Sequence, residues 1–153
     1  EEYEWGPLIR KSIMTKNEIV EADPFENGDR KLLNFGHTVG HAIETYFLET
    51  GSPILHGEAV AAGMVAETFL SEKLLGLSKS DRDYIIKTID SFFKRIEIPE
   101  PDWQKVLANL DQDKKNQGKS IEAVLLSRPG EAQHSVTITK EDVREALFFY
   151  SAR

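Results

Sequence analysis

Five residues in one short segment have both the types and the spacing to do chemistry together. Arg30, Asn34, His37, His41 and Glu44 follow one another at intervals of four, three, four and three residues. In an α-helix that spacing puts all five on one face. The arginine offers a planar fork of donors for a carboxylate or a phosphate. The asparagine both donates and accepts, and each histidine can ligate a metal through one ring nitrogen or move a proton. Such a stripe has the tools to bind an oxyanion and a metal at once. An ordinary solvated face would lean towards Lys and Glu instead. Gly36 and Gly40, four apart on another face, cost a helix about 1 kcal/mol each relative to alanine. Close approach of a neighbouring backbone would explain why that cost is tolerated.

A second element is His56-Gly57-Glu58-Ala59-Val60-Ala61-Ala62-Gly63-Met64. A lone histidine at a helix start is usually a surface group. Here the positive end of the helix dipole disfavours a cation, which suits the neutral ring a divalent metal requires. The connection back to the preceding helix is short, so the two helices are expected to pack antiparallel, with His37 and His56 facing across the groove. Histidine ligands favour zinc or cobalt over magnesium or calcium. A catalytic zinc usually takes three protein ligands and an open position. Glu44 and Glu58 are the local candidates for a third ligand or for a group that orients one. His134 is read as structural or exposed.

The elements that must position these groups are mostly helical. A first helix is expected from Trp5 to about Glu21, with Leu8, Ile9, Ile13 and Val20 as core positions, stopping near Asp23-Pro24. Asn27-Gly28 reads as a turn. A second helix is expected to run unbroken from about Asp29 to Glu49, and a third from His56 or Gly57 to Leu75, with Gly76 as its C-cap. Ser78 with Asp81 caps a fourth that ends before Pro99, and Trp103 to Leu110 is a short fifth. Asp111 to Lys119 reads as a loop. Ile121–Leu126 and Ser135–Thr139 flank Arg128-Pro129-Gly130 as a small hairpin, and Thr139 with Asp142 caps a last helix ending near Tyr150. The class is mainly α with a minor β element.

The 153 residues suffice for a single domain, and 40% hydrophobic with 29% charged residues is a globular mix. A net charge of −7 without a basic stripe makes a nucleic-acid partner a poor expectation. The absence of cysteine rules out disulfides and thiolate metal sites. No apolar stretch reaches the roughly 18 residues that span a bilayer. The expectation is a cytoplasmic protein. Because the first residue is not Met, the chain is expected to be a fragment, a processed form or an expressed piece of a longer protein.

At the two histidine segments the chain resembles the 3-dehydroquinate synthases. The shared pattern is Arg30, then Leu33-Asn34-Phe35-Gly36-His37-Thr38-Val39-Gly40-His41-Ala42-Ile43-Glu44, followed by the segment that begins at His56. Lys16, the acidic stretch at Glu21 to Asp23, and Glu26 fit the upstream spacing. Downstream, Asp113-Lys114-Lys115 and Gly118 fit an Asp-Lys-Lys … Gly loop before a strand that ends near Pro129-Gly130. The resemblance runs from about residue 9 to residue 148. It implies the helical C-terminal domain of the dehydroquinate synthase-like fold, spanning 1–153, in a larger enzyme whose NAD-binding domain lies outside this chain.

The resemblance also implies roles. His37 and His56 would ligate zinc or cobalt, with a third ligand, a Glu, upstream of this chain. Lys16, Arg30, Asn34 and His41 would bind the substrate, with His41 at the phosphate end. Lys115, or else Lys114, would reach it too. Lys16, Glu26 and His41 are the candidate catalytic residues. The family's substrate is 3-deoxy-D-arabino-heptulosonate 7-phosphate, a seven-carbon sugar acid phosphate. The product is 3-dehydroquinate, made for aromatic amino-acid biosynthesis with NAD alternately reduced and reoxidised, and the family commonly forms homodimers. The competing readings are another sugar-phosphate cyclase of the same superfamily, the helical half of a metal-dependent alcohol or glycerol dehydrogenase, and a non-catalytic helical scaffold. There is no Gly-rich phosphate loop after a strand, so the chain alone is expected to be inactive.

Overall fold

The computed structural model describes residues 4–111 and 120–152, which divide into two compact units, 1–33 and 34–153. In the first unit, helix α1 spans Trp5–Ala22. It ends where predicted, at Asp23 before Pro24. None of its residues is buried. Leu8, Ile9 and Ile13, expected in a core, are 51%, 54% and 55% exposed, and Val20 is only half-buried. Periodicity marked an apolar stripe correctly, but a stripe becomes core only where a second layer covers it, and one helix with a short turn does not make two layers. That turn is organised by Asp23, whose carboxylate accepts the backbone N–H of Asn27 at 3.0 Å, Gly28 at 2.8 Å and Arg30 at 3.2 Å.

The expected second helix is two elements. A 3-10 helix runs over Asp29–Asn34, and α2 begins only at His37 and runs to Glu49. Gly36 separates them with φ 84°, a left-handed conformation that glycine adopts without steric cost. The remaining elements are α3 (His56–Leu75), α4 (Lys79–Phe92), a 3-10 turn (Glu100–Asp102), α5 (Trp103–Asn109), β1 (Ile121–Arg128), β2 (Glu131–Ile138) and α6 (Lys140–Ser151). Helix α4 stops well short of Pro99. The predicted caps hold: the Ser78 hydroxyl accepts Asp81 N–H, and Thr139 and Asp142 form a reciprocal capping box. Gly76 ends α3 in the left-handed region.

Helix α3 is the hub of the second unit, packing against α2, α4, β1 and α6. Its alanine-rich surface is buried on several sides, from Ala59 through Leu70, as expected of a helix without a solvent stripe. Around it close Val39 and Ile43 of α2, Ile86 of α4, Val106 of α5, Leu125 of β1, and Val143 and Leu147 of α6. The hairpin pairs β1 and β2 antiparallel from Ile121↔Ile138 to Arg128↔Glu131, with two bulges. Its strands run two residues further on β1 and start four residues earlier on β2 than the sequence pattern suggested. The Ser71 hydroxyl of α3 accepts Leu126 N–H at 2.9 Å and so ties the hairpin to the hub. Among the described residues no helix is long and apolar enough to cross a membrane.

Candidate metal centre

Helices α2 and α3 run antiparallel at very close range. The order of contacts shows it: Glu44 meets His56, Gly40 meets Ala59 and Val60, and Gly36 meets Met64. Three glycines permit the approach. A Cβ on Gly40 would lie 3.0 Å from the Ala59 carbonyl oxygen, and one on Gly63 would lie 2.6 Å from Gly40 N. At Gly40 within α2, and at Gly36 just before it, the backbone of α3 occupies the space a Cβ would take.

This packing brings three histidine rings together, with the start of α3 lying beside Glu44, further along α2. His37 is the first residue of α2 and His56 the first of α3. His41 stands one turn along α2. The ring centroids are 5.3 Å apart for His37 and His41, 5.6 Å for His37 and His56, and 5.7 Å for His41 and His56. One ligating atom from each of the three rings lies within 4.8 Å of the others. Tetrahedral zinc with nitrogen ligands needs about 3.3 Å between donors, so modest side-chain rotation closes the triangle. Among the described residues this is the one group of three or more that can hold a metal. His134, in β2, is not part of it.

The rings are also oriented. His56 Nδ1 lies 3.1 Å from Glu44 Oε2, and His37 Nδ1 lies 3.3 Å from the Phe35 carbonyl oxygen. Both acceptors call for a proton on Nδ1, so Nε2 is the nitrogen through which each neutral ring can ligate. A carboxylate or carbonyl behind a ligating histidine is the usual arrangement. The two local glutamates thus differ in role. Glu44 holds His56, whereas Glu58 accepts the Leu55 N–H at 2.9 Å and caps α3. The residues present fit a divalent metal.

The single helical stripe expected from Arg30 to Glu44 does not exist. The left-handed turn at Gly36 ends the periodicity, so Arg30 and Asn34 lie on the 3-10 helix and only His37, His41 and Glu44 share α2. Lys16 is exposed on α1. Glu26 sits in the turn after it with φ 56°, and Arg30 donates from Nη1 to the Pro24 carbonyl at 2.9 Å. These three belong to the first unit, and Asn34 opens the second. Lys114 and Lys115 lie outside the described residues.

One residue escaped sequence reasoning. Glu67 of α3 is completely buried, and its two carboxylate oxygens accept Gly36 N–H at 2.6 Å and Val39 N–H at 3.1 Å. Burial pushes its carboxyl up to about 8, against the opposing pull of the Gly36, Val39 and Thr38 N–H groups. The available signal was a single acidic residue amid the apolar run of α3.

Residues 1–116 match the family described as 3-dehydroquinate synthase C-terminal. A 3-dehydroquinate synthase of Parabacteroides distasonis is 40% identical over 143 residues, covering 94% of this chain and 40% of that protein. The Pentafunctional AROM polypeptide of Schizosaccharomyces pombe is 36% identical over 158 residues, 92% of this chain and 10% of its own length. Among solved structures, a 2-deoxy-scyllo-inosose synthase complexed with carbaglucose-6-phosphate, NAD+ and Co2+ superposes with a TM-score of 0.75 at 23% identity, over 91% of this chain and 39% of that one. A 2-epi-5-epi-valiolone synthase from Streptomyces hygroscopicus with NAD+ and Zn2+ bound gives 0.74 at 20% identity, over 95% and 40%. The fold is therefore that of these cyclases. The chain spans about 40% of the length of the single-function synthase it matches.

Proposed function

This chain belongs to the 3-dehydroquinate synthase family, and from that premise we propose that it is the metal- and substrate-binding part of a 3-dehydroquinate synthase. The observation that carries the reading is the triangle of His37, His41 and His56 with ligating atoms within 4.8 Å of one another. In this reading His37 and His56 hold zinc or cobalt, oriented by Phe35 and Glu44. When bound, the metal polarises a substrate oxygen and lowers the cost of negative charge developing there. Its third ligand and most of the NAD site lie in sequence outside these 153 residues, in keeping with the share of the relatives that the chain covers.

The remaining residues grip the substrate, the 7-phosphate of a seven-carbon sugar acid. Arg30 and Lys16 take its carboxylate, Asn34 its hydroxyl groups, and His41 its phosphate end. Lys115 or Lys114 adds a further cation. Fixing a flexible polyanion in this way contributes orientation, and Lys16, Glu26 and His41 are the groups able to hold or move a proton. A phosphorylated, multiply charged substrate stays where it is made, so the reading includes a cytoplasmic location. It also includes a homodimeric full-length enzyme. A second sugar-phosphate cyclase activity is the alternative, since solved cyclases of other specificity share the fold.

The test is to titrate the sugar acid phosphate into the zinc-loaded chain, and to assay phosphate release with NAD present. We expect binding that weakens at least tenfold in Arg30→Ala and His41→Ala, and no turnover. Equal binding of a glucose 6-phosphate analogue would favour the alternative. Turnover by the chain alone would contradict the placement of the NAD site elsewhere.

A further inference from the structure

A carboxylate in the middle of a packed helix pair is costly to bury, so its partners show what it is for. Among the described residues, no lysine or arginine hydrogen-bonds to Glu67. It accepts from the backbone of Gly36 and Val39, the residues that flank His37. Helix α2 has no capping side chain of its own, because its N-cap is Gly36. The free N–H groups of a helix's first turn need acceptors, and here a residue of the neighbouring helix supplies them. Glu67 therefore joins the start of α2, which bears His37, to α3, which bears His56 at its own start.

We infer that Glu67 is the positioning residue for His37: its buried carboxyl group fixes the first turn of α2, and with it the His37 imidazole, against the helix that carries His56. The inference rests on the metal-site reading of His37 and deepens it. It also explains the left-handed Gly36. In that conformation the Gly36 N–H points into the core, where Glu67 meets it at 2.6 Å. Removing the second oxygen acceptor leaves a first-turn N–H without its partner and loosens the turn that carries His37.

The experiment compares the chain with Glu67→Gln, which keeps shape and one acceptor, by cobalt titration and by NMR. Glu67→Gln is expected to bind cobalt roughly tenfold or more weakly, with an altered cobalt absorption band, while its circular dichroism stays native. Its His37 ring resonances are expected to shift while those of His134 do not. Wild-type cobalt affinity and unshifted His37 resonances in a folded Glu67→Gln would overturn the inference. Should the variant not fold, the wild-type chain still decides. The inference requires slow hydrogen exchange and downfield amide shifts at Gly36 and Val39, and exchange there at solvent rates overturns it. A wild-type chain that takes up no cobalt refutes the metal reading alone, and the His37 and amide results then judge the anchor by themselves.

Discussion

Asp23 and Glu67 perform the same task in different surroundings. Each carboxylate gathers backbone N–H groups and pins a chain segment: Asn27, Gly28 and Arg30 for Asp23, Gly36 and Val39 for Glu67. Asp23 works in a solvated turn of a unit whose helix buries nothing. Glu67 works at zero exposure between two helices whose backbones nearly touch. The hydrogen bonds are alike, so the difference lies in what surrounds them. In the first unit the turn is local and stands on its own bonds. In the second, the turn, the glycine contacts and the histidine triangle form one object, and a fault in any part should reach the histidines.

The harshest test of that contrast is Gly63→Ala. Its new Cβ would press on Gly40 N and Gly40 Cα, at 2.6 and 2.9 Å. These are backbone atoms that no rotamer change can move aside. The helices must separate, and we expect a loss of about 3 kcal/mol or more, read by denaturant unfolding, together with weakened metal uptake. A variant as stable as the parent would mean that the close approach of α2 and α3 does not matter.

A gentler test uses pH, because the two carboxylates titrate in opposite senses. Glu67 is raised to about 8 by burial, from an ordinary 4.5. The folded chain thus keeps a proton that the unfolded chain has lost. Stability from this group is complete below about 4.5 and declines as pH rises through about 8. Asp23 is held below its ordinary 3.8 by the N–H groups of Asn27 and Gly28, so its contribution is present above that value and is lost as pH falls. Thermal melts should show the alkaline decline in the parent and a flatter curve in Glu67→Gln. Acid should loosen the Asn27 and Gly28 amides before the core unfolds. The smallest effect expected is that of Asp23→Ala. Amide exchange at Asn27, Gly28 and Arg30 should rise, with the melting of the second unit unchanged.

The same contrast explains what could be read from the sequence. Caps were legible because they are local: Ser78 with Asp81, Thr139 with Asp142, and Gly76 all act within a few residues of themselves. The facing of His37 and His56 was legible because the connection between α2 and α3 is short, although only His56 was expected at a helix start. The break at Gly36 was not legible, since Arg30 to Glu44 keeps helical spacing across it and the acceptor that meets the Gly36 N–H, Glu67, lies 31 residues away. Nor was the fate of the α1 stripe, because periodicity says which face is apolar and not whether a second layer covers it. His41 was placed by resemblance at the phosphate end. That its ring also completes a triangle with His37 and His56 follows from the α2–α3 distance; the glycines hinted at a close approach, but not at which rings it would gather.

The central claim is that this helix pair builds a metal site from His37 and His56. The most direct measurement is zinc or cobalt stoichiometry, by elemental analysis after dialysis, on the chain and on His37→Ala and His56→Ala, with circular dichroism alongside. The account predicts about one metal per parent chain, lost in either variant while the helical signal persists. Metal retained equally by both variants, or none bound by the parent, would contradict it.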